Sequence, residues 1–190
     1  MKVIVNTSAR HVHVTREDLD ALFGKGFELV KKKDLMQPGE FATEQRVDIV
    51  GPKNAIRGVS ILGPIRGATQ VEISLSDARA IGVDAPVRES GDVAGSAACR
   101  IVGPAGAVDL REGVIAAKRH VHLTPQTAAA LGAVNKQNIK VALSSADRST
   151  VYGDVVARVS PRFADEMHVD TDEANAAGLS GEVWGEIIVD

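Results

Sequence analysis

A six-residue segment occurs twice in this chain. Arg10-His11-Val12-His13-Val14-Thr15 returns as Arg119-His120-Val121-His122-Leu123-Thr124. Internal similarity of this kind points to two copies of one supersecondary unit, and it restricts the fold more than any other feature. Each copy continues through a short, apolar-spaced segment to a glycine, Gly24 in the first and Gly132 in the second. The pattern reads as a strand end, an N-capping threonine, a short helix and a C-terminal glycine. Two further segments fit the same frame. Val71-Glu72-Ile73-Ser74 leads to Gly82, and Met167-His168-Val169-Asp170 leads to Gly178. In all four units the residue two places before the cap is a metal-binding type: His13, Glu72, His122 and His168.

The remaining segments are β-rich. Arg46–Val50 and Ala55–Ser60 flank the turn signal Gly51-Pro52-Lys53-Asn54, and Arg100–Val102 and Ala107–Leu110 flank Gly103-Pro104-Ala105-Gly106. Ile139–Leu143, Val151–Val159 and Val183–Val189 have the same character. Valine, alanine and glycine abound, whereas aromatics make up 3%, which suits short, tightly packed strands. The expected class is therefore mostly β with short helices (α+β): two related β-barrel domains capped by short α-helices. The expected halves are 1–113 and 114–190, with a boundary near Gly113 and strand exchange across it left open.

Side chains at i and i+2 of a strand share a face, so His11 and His13 can converge on one ion, as can His120 and His122. Glu72 and His168 complete two triads, and a catalytic zinc site typically uses three protein ligands. The triads use every histidine of the chain. Imidazoles suit zinc, cobalt, nickel or iron, and the sequence does not choose among them. Arg66, in Leu62-Gly63-Pro64-Ile65-Arg66-Gly67, offers a planar fork for phosphate or carboxylate oxygens. Arg10 and Arg119 point to the opposite strand face, toward carboxylates elsewhere. Cys99 reads as a small buried residue, with no base nearby to activate it.

Several classes of function are disfavoured. A net charge of -3 and scarce aromatics argue against nucleic-acid binding. No apolar run approaches the roughly 18–20 residues of a membrane span. The segment after Met1 does not read as a signal peptide. A single cysteine forms no internal disulfide, so a reducing cytoplasm is the expected compartment.

Three segments together resemble the PduL-type phosphotransacylases, the phosphate propanoyltransferases associated with bacterial microcompartments. They are Ser8-Ala9-Arg10-His11-Val12-His13; Leu62-Gly63-Pro64-Ile65-Arg66 with Thr69-Gln70-Val71-Glu72; and Lys118 to Thr124. The resemblance spans essentially the whole chain. It implies interconversion of short-chain acyl-CoA (propanoyl-CoA, acetyl-CoA) plus phosphate with acyl phosphate plus CoA. It also implies a pair of β-barrels and two divalent metals, commonly zinc. By motif, His11, His13 and Glu72 would bind one metal and His120, His122 and His168 the other. Arg66 would contact phosphate. Ser8, Lys33, Leu62 and Asn175 fall where the family contacts CoA. Microcompartment members usually carry an N-terminal targeting extension, whereas here core sequence begins at residue 1. A place inside a shell is therefore left open; a homo-oligomer is a separate expectation. Two other readings of the same ligands are a dinuclear metal hydrolase and a non-catalytic, shell-associated metal-binding module.

Overall fold

The structure is a computed structural model, which describes residues 1–189. Its strands are β1 (Lys2–Thr7), β2 (His11–His13), β3 (Lys31–Asp34), β4 (Phe41–Val50), β5 (Ala55–Gly63), β6 (Gln70–Glu72), β7 (Val87–Arg88), β8 (Ala97–Val102), β9 (Ala107–Ala117), β10 (His120–Leu123), β11 (Asn138–Leu143), β12 (Thr150–Val159), β13 (Glu166–Val169) and β14 (Val183–Ile188). The helices are α1 (Arg16–Phe23), α2 (Leu75–Ile81), α3 (Pro125–Leu131) and α4 (Thr171–Ala176). The chain is mostly β with short helices, as its sequence pattern predicts. Among the described residues no helix is long and apolar enough to cross a membrane.

Each helix begins where the repeated frame places a cap. Thr15, Ser74, Thr124 and Asp170 each accept a hydrogen bond from the backbone N–H three residues on. Asp170 and Glu173 form a reciprocal capping box. A cap of this type stabilises a helix by about 1 kcal/mol, a substantial share for helices of only two turns. Gly24, Gly82 and Gly132 end the first three helices. In the fourth, Ala177 is the cap and Gly178 follows with a φ of 61°.

The residues fall into two compact units. One contains Ala9–Leu35 and Gly39–Ala117. Its strands close in the order β4-β5-β2-β6-β9-β8, with β8 returning to β4. Val12, Ile49, Ile61, Val71, Ile101 and Val114 are among the residues of its core. Gly113 is required there: its φ is 135°, and a Cβ would press on the Thr69 carbonyl oxygen.

The other unit contains Met1–Ser8, Met36–Pro38 and the chain from Lys118 onward. It closes as β1-β13-β10-β12-β11-β14. Val5, Val121, Leu123, Val141, Met167 and Ile187 belong to its core.

The two barrels have the same pattern of parallel and antiparallel neighbours. The counterparts are β2 and β10, β4 and β11, β5 and β12, β6 and β13, β8 and β14, and β9 and β1. In each barrel the His-x-His strand lies between a parallel neighbour, β5 or β12, and an antiparallel one, β6 or β13. The last pair of counterparts is crossed with respect to the sequence. Strand β1 precedes β2 in the chain but closes the barrel of β10. Strand β9 precedes β10 but closes the barrel of β2.

Candidate metal centres

The strand register explains how each triad assembles. His11 lies directly opposite Glu72 across the β2–β6 pair, and His13 lies opposite Gln70. His120 likewise lies opposite His168 across β10–β13, and His122 opposite Glu166. Directly paired residues project to one face with Cβ atoms about 5 Å apart. The intervening Val12 and Val121 point to the barrel cores, so the histidines occupy the other strand face. They are nonetheless buried: His11, His13, His120 and His122 are between 2% and 7% exposed.

Within each triad, one ligand atom from each residue lies within 4.8 Å of the others. His11 Nε2 is 3.6 Å from Glu72 Oε2, and His13 Nε2 is 4.0 Å from Glu72 Oε1. His120 Nε2 and His122 Nε2 are 3.1 Å apart. Ligand atoms about 2.0–2.1 Å from a tetrahedral ion would be separated by about 3.3 Å, so the spacings fit a transition-metal ion. Ring orientation fits as well. His11 Nδ1 faces the Ala9 carbonyl at 2.8 Å and His120 Nδ1 the Lys118 carbonyl at 2.9 Å. With the proton on Nδ1, each neutral ring presents the Nε2 lone pair. The His122 Nδ1 is buried without a hydrogen-bond partner, and His13 has the Leu62 backbone beside it.

Electrostatics hold His13 and His122 in the neutral form that can bind a metal, whereas Glu72 favours the charged form of His11. Burial, aided by the neighbouring His11 and Arg66 charges, lowers the His13 pKa to about 3. Burial with His120, His168 and Arg158 does the same to His122, also to about 3. Both rings are neutral near pH 7. Burial opposes charge on His11, but Glu72 outweighs it and raises the His11 pKa. Burial likewise opposes ionisation of Glu72, yet His11, His13 and Ser90 hold it well below the usual carboxylate range.

Arg66 lies close to the first triad. Its Nη1 donates to Ser90 Oγ at 3.3 Å, and Ser90 Oγ donates to Glu72 Oε1 at 2.8 Å. Its Nη2 pairs with Glu40 at 2.9 Å. Arg10 and Arg119 turn away from the triads to carboxylates on α2 and α4, Asp77 at 2.9 Å and Glu173 at 2.8 Å. Ser8 is half-buried and its backbone N–H donates to the Val169 carbonyl, while Asn175 is exposed on α4. Lys33 is exposed on β3 and Leu62 is half-buried near the end of β5. Ser8 and Asn175 thus belong to one unit, Lys33 and Leu62 to the other. Burial pushes the Cys99 thiol up to about 12, which leaves it unreactive.

Several residues at these centres carry no motif of their own. Gln70 and Glu166, two residues before the third ligand, follow from the same i, i+2 rule that pairs the histidines. Arg158 lies beside His122 in the parallel register of β10 and β12, with its guanidinium 5.7 Å from the Phe163 ring. Ser90 and Glu40 come from distant loops, and nothing in local sequence marks them.

The phosphate propanoyltransferase family model matches residues 4–180. A phosphate propanoyltransferase of Thermotoga maritima is 52% identical over 178 residues, covering 94% of this chain and 85% of that protein. One from Listeria monocytogenes is 49% identical, covering 98% and 87%. Another from Lachnoclostridium phytofermentans is 50% identical, covering 94% and 83%. These matches support a phosphate acyltransferase activity, and the chain belongs to the phosphate propanoyltransferase family.

Proposed function

We propose that the protein interconverts short-chain acyl-CoA plus phosphate with acyl phosphate plus CoA, and that each triad holds one divalent metal ion, zinc in the first instance. The observation that carries the metal reading is the repetition of one geometry: two imidazoles on one strand, a third ligand directly across from the first, and His13 and His122 held neutral. Acetyl-CoA and propanoyl-CoA would both serve, because a pocket separates ligands differing by one methylene by only about 1–3 kcal/mol. The working compartment on this reading is the cytoplasm or the interior of a microcompartment.

In the forward reaction a phosphate oxygen attacks the thioester carbonyl carbon, the carbon–sulfur bond breaks, and CoA leaves as its thiolate. When bound, divalent ions supply Lewis-acid stabilisation of developing negative charge. The chain's own residues contribute position. Arg66 grips phosphate in exchange for its contact with Glu40, while the link through Ser90 keeps its guanidinium aligned with Glu72. Holding two reactants in line can contribute up to about 7–11 kcal/mol. Direct attack needs no protein nucleophile, and the thiol of Cys99 stays protonated. Ser8, Lys33, Leu62 and Asn175 are assigned to CoA on the family resemblance.

A panel of acyl-CoA thioesters, assayed for phosphate-dependent CoA release with and without chelator, tests the proposal. We expect release that requires phosphate, stops on chelation and is fastest with short acyl groups. CoA release independent of phosphate would instead identify a thioester hydrolase. Rates that rise toward long acyl chains would contradict the substrate assignment.

A further inference from the structure

Each triad is three corners of a four-residue block, and the fourth corner has not been given a role. In the first block, His11 and His13 face Glu72 and Gln70; in the second, His120 and His122 face His168 and Glu166. Gln70 and Glu166 are only 2% and 3% exposed. Burying an amide or a carboxylate this deeply is unfavourable unless its hydrogen bonds are made.

Both sets of bonds lead to the third ligand, with opposite polarity. Gln70 Nε2 donates to Glu72 Oε1 at 2.5 Å and to Ser90 Oγ at 2.9 Å, and its Oε1 accepts from the Gly91 N–H at 2.7 Å. Glu166 Oε1 stands 3.1 Å from His168 Nε2, where it can accept the ring N–H, and it also accepts from the Asn6 side chain. Glu166 Oε2 accepts from Gln37 Nε2 at 2.6 Å. Gln37 is itself fixed, donating to the Ala164 carbonyl at 3.0 Å and accepting from the Ala164 N–H at 3.3 Å. Where the third ligand is a carboxylate, its neighbour is a donor. Where the third ligand is an imidazole, its neighbour is an acceptor.

We infer that this fourth corner is a ligand-positioning site in both halves, and that Glu166, braced by Gln37 and Asn6, is the residue that orients His168 for the second metal. The inference rests on the metal reading proposed above. An imidazole that donates one N–H to a carboxylate has its tautomer and ring orientation fixed and is a more basic ligand through its other nitrogen. Each centre then carries one carboxylate: in the first it is a candidate ligand, and in the second it contacts one.

The test is titration of the metal-free full-length protein with Co²⁺ at fixed pH, followed by visible absorption and by competition with a chelator. Wild-type protein, Glu166→Gln and Gln37→Leu are compared. We expect wild type to take up two Co²⁺ ions. Glu166→Gln should keep one at wild-type affinity and bind the other about 10–100-fold more weakly. Gln37→Leu, which leaves the carboxylate in place but unbraced, should weaken the same site by a smaller factor. The metal-free protein should melt somewhat lower in both, because each variant leaves buried polar groups unmet, but the loss of Co²⁺ affinity should be confined to one site. Wild-type affinity at both sites in Glu166→Gln overturns the inference. So does an equal loss at both sites, the mark of a merely structural residue. If Glu166→Gln does not fold, Gln37→Leu decides by the same criteria. Failure of the wild-type protein to bind Co²⁺ is a distinct result and would overturn the metal reading itself.

Discussion

Arg66 gives the clearest test at the scale of single residues. Its side chain is 31% exposed and that of its partner Glu40 34%, so the pair contributes little to stability, about 0–1 kcal/mol. Arg66→Ala should therefore fold and, on the proposed metal reading, match the metal content of wild type. If the guanidinium grips phosphate as bonds change, the acyl-transfer rate should fall about 10²–10³-fold. Arg66→Lys should recover only part, since an ammonium restores charge without the fork. Steady-state kinetics with phosphate varied, on protein of verified metal content, decides; a wild-type rate in Arg66→Ala would remove it from the site. A second residue-scale expectation concerns acid. The native pKa of His122 is depressed to about 3, below its unfolded value of about 6.5. Between those values the unfolded chain binds the proton and the native chain does not, so stability falls as pH drops below about 6.5. The slope approaches about 1.4 kcal/mol per pH unit. His13 acts in the same direction. His11, with a raised pKa, acts oppositely: its contribution is complete below about 6.5 and is lost as pH rises through its native pKa. Denaturant unfolding of metal-free protein at pH 7 and 5.5 should show a smaller pH effect in His122→Gln than in wild type; an equal effect would mean that His122 is not buried neutral. The sequence exposed the six candidate ligands because their chemistry is rare and their spacing repeats. Ser90, Glu40 and Gln37 left no comparable signal, since common polar residues in loops acquire their roles only from long-range contacts.

At the scale of elements, each two-turn helix is set by a cap and a glycine, and both are written locally. Strand pairing is not. A valine-rich run such as Lys2–Thr7 has the same alternation whichever barrel it closes, so local pattern could predict barrels without saying which strands complete them. We propose that the chain holds two copies of one ancestral unit whose leading strands, β1 and β9, are exchanged; the boundary expected near Gly113 falls within β9. The crossing has a consequence that chain order would not suggest. Val5 is 5% exposed in the core that supports His120, His122 and His168, although it is only six residues from His11. Val5→Asp places an unpaired charge in that core, at a cost of several kcal/mol. Co²⁺ titration of this variant should show loss at the His120–His122–His168 triad, with the His11–His13–Glu72 triad retained. Val12→Asp should do the reverse. Loss confined to the first triad in Val5→Asp would contradict the exchanged pairing.

At the scale of the whole molecule, charge links the proposed metals to the proposed substrates. The chain has a formal charge of -3, whereas phosphate and CoA are both anions. A net negative protein does not attract such ligands over distance. Two divalent ions add four positive charges and take the formal charge from -3 to +1. Metal loading should therefore matter twice, by occupying the triads and by reversing the sign of the field that approaching anions meet. Four observations should move together if this is right. Elemental analysis of active protein should give about two ions per chain, and chelation should abolish turnover. The metal-free protein should migrate further toward the anode on native electrophoresis. It should also melt at a lower temperature, because an ion that binds only the native state stabilises it by about 2.7 kcal/mol at 100 times its dissociation constant. Replacing His120 and His122 together with alanine should leave about one ion per chain, an intermediate mobility and no acyl transfer. Full activity in that double variant would make the second triad dispensable, and full activity in exhaustively chelated wild-type protein would remove metal from the reaction altogether.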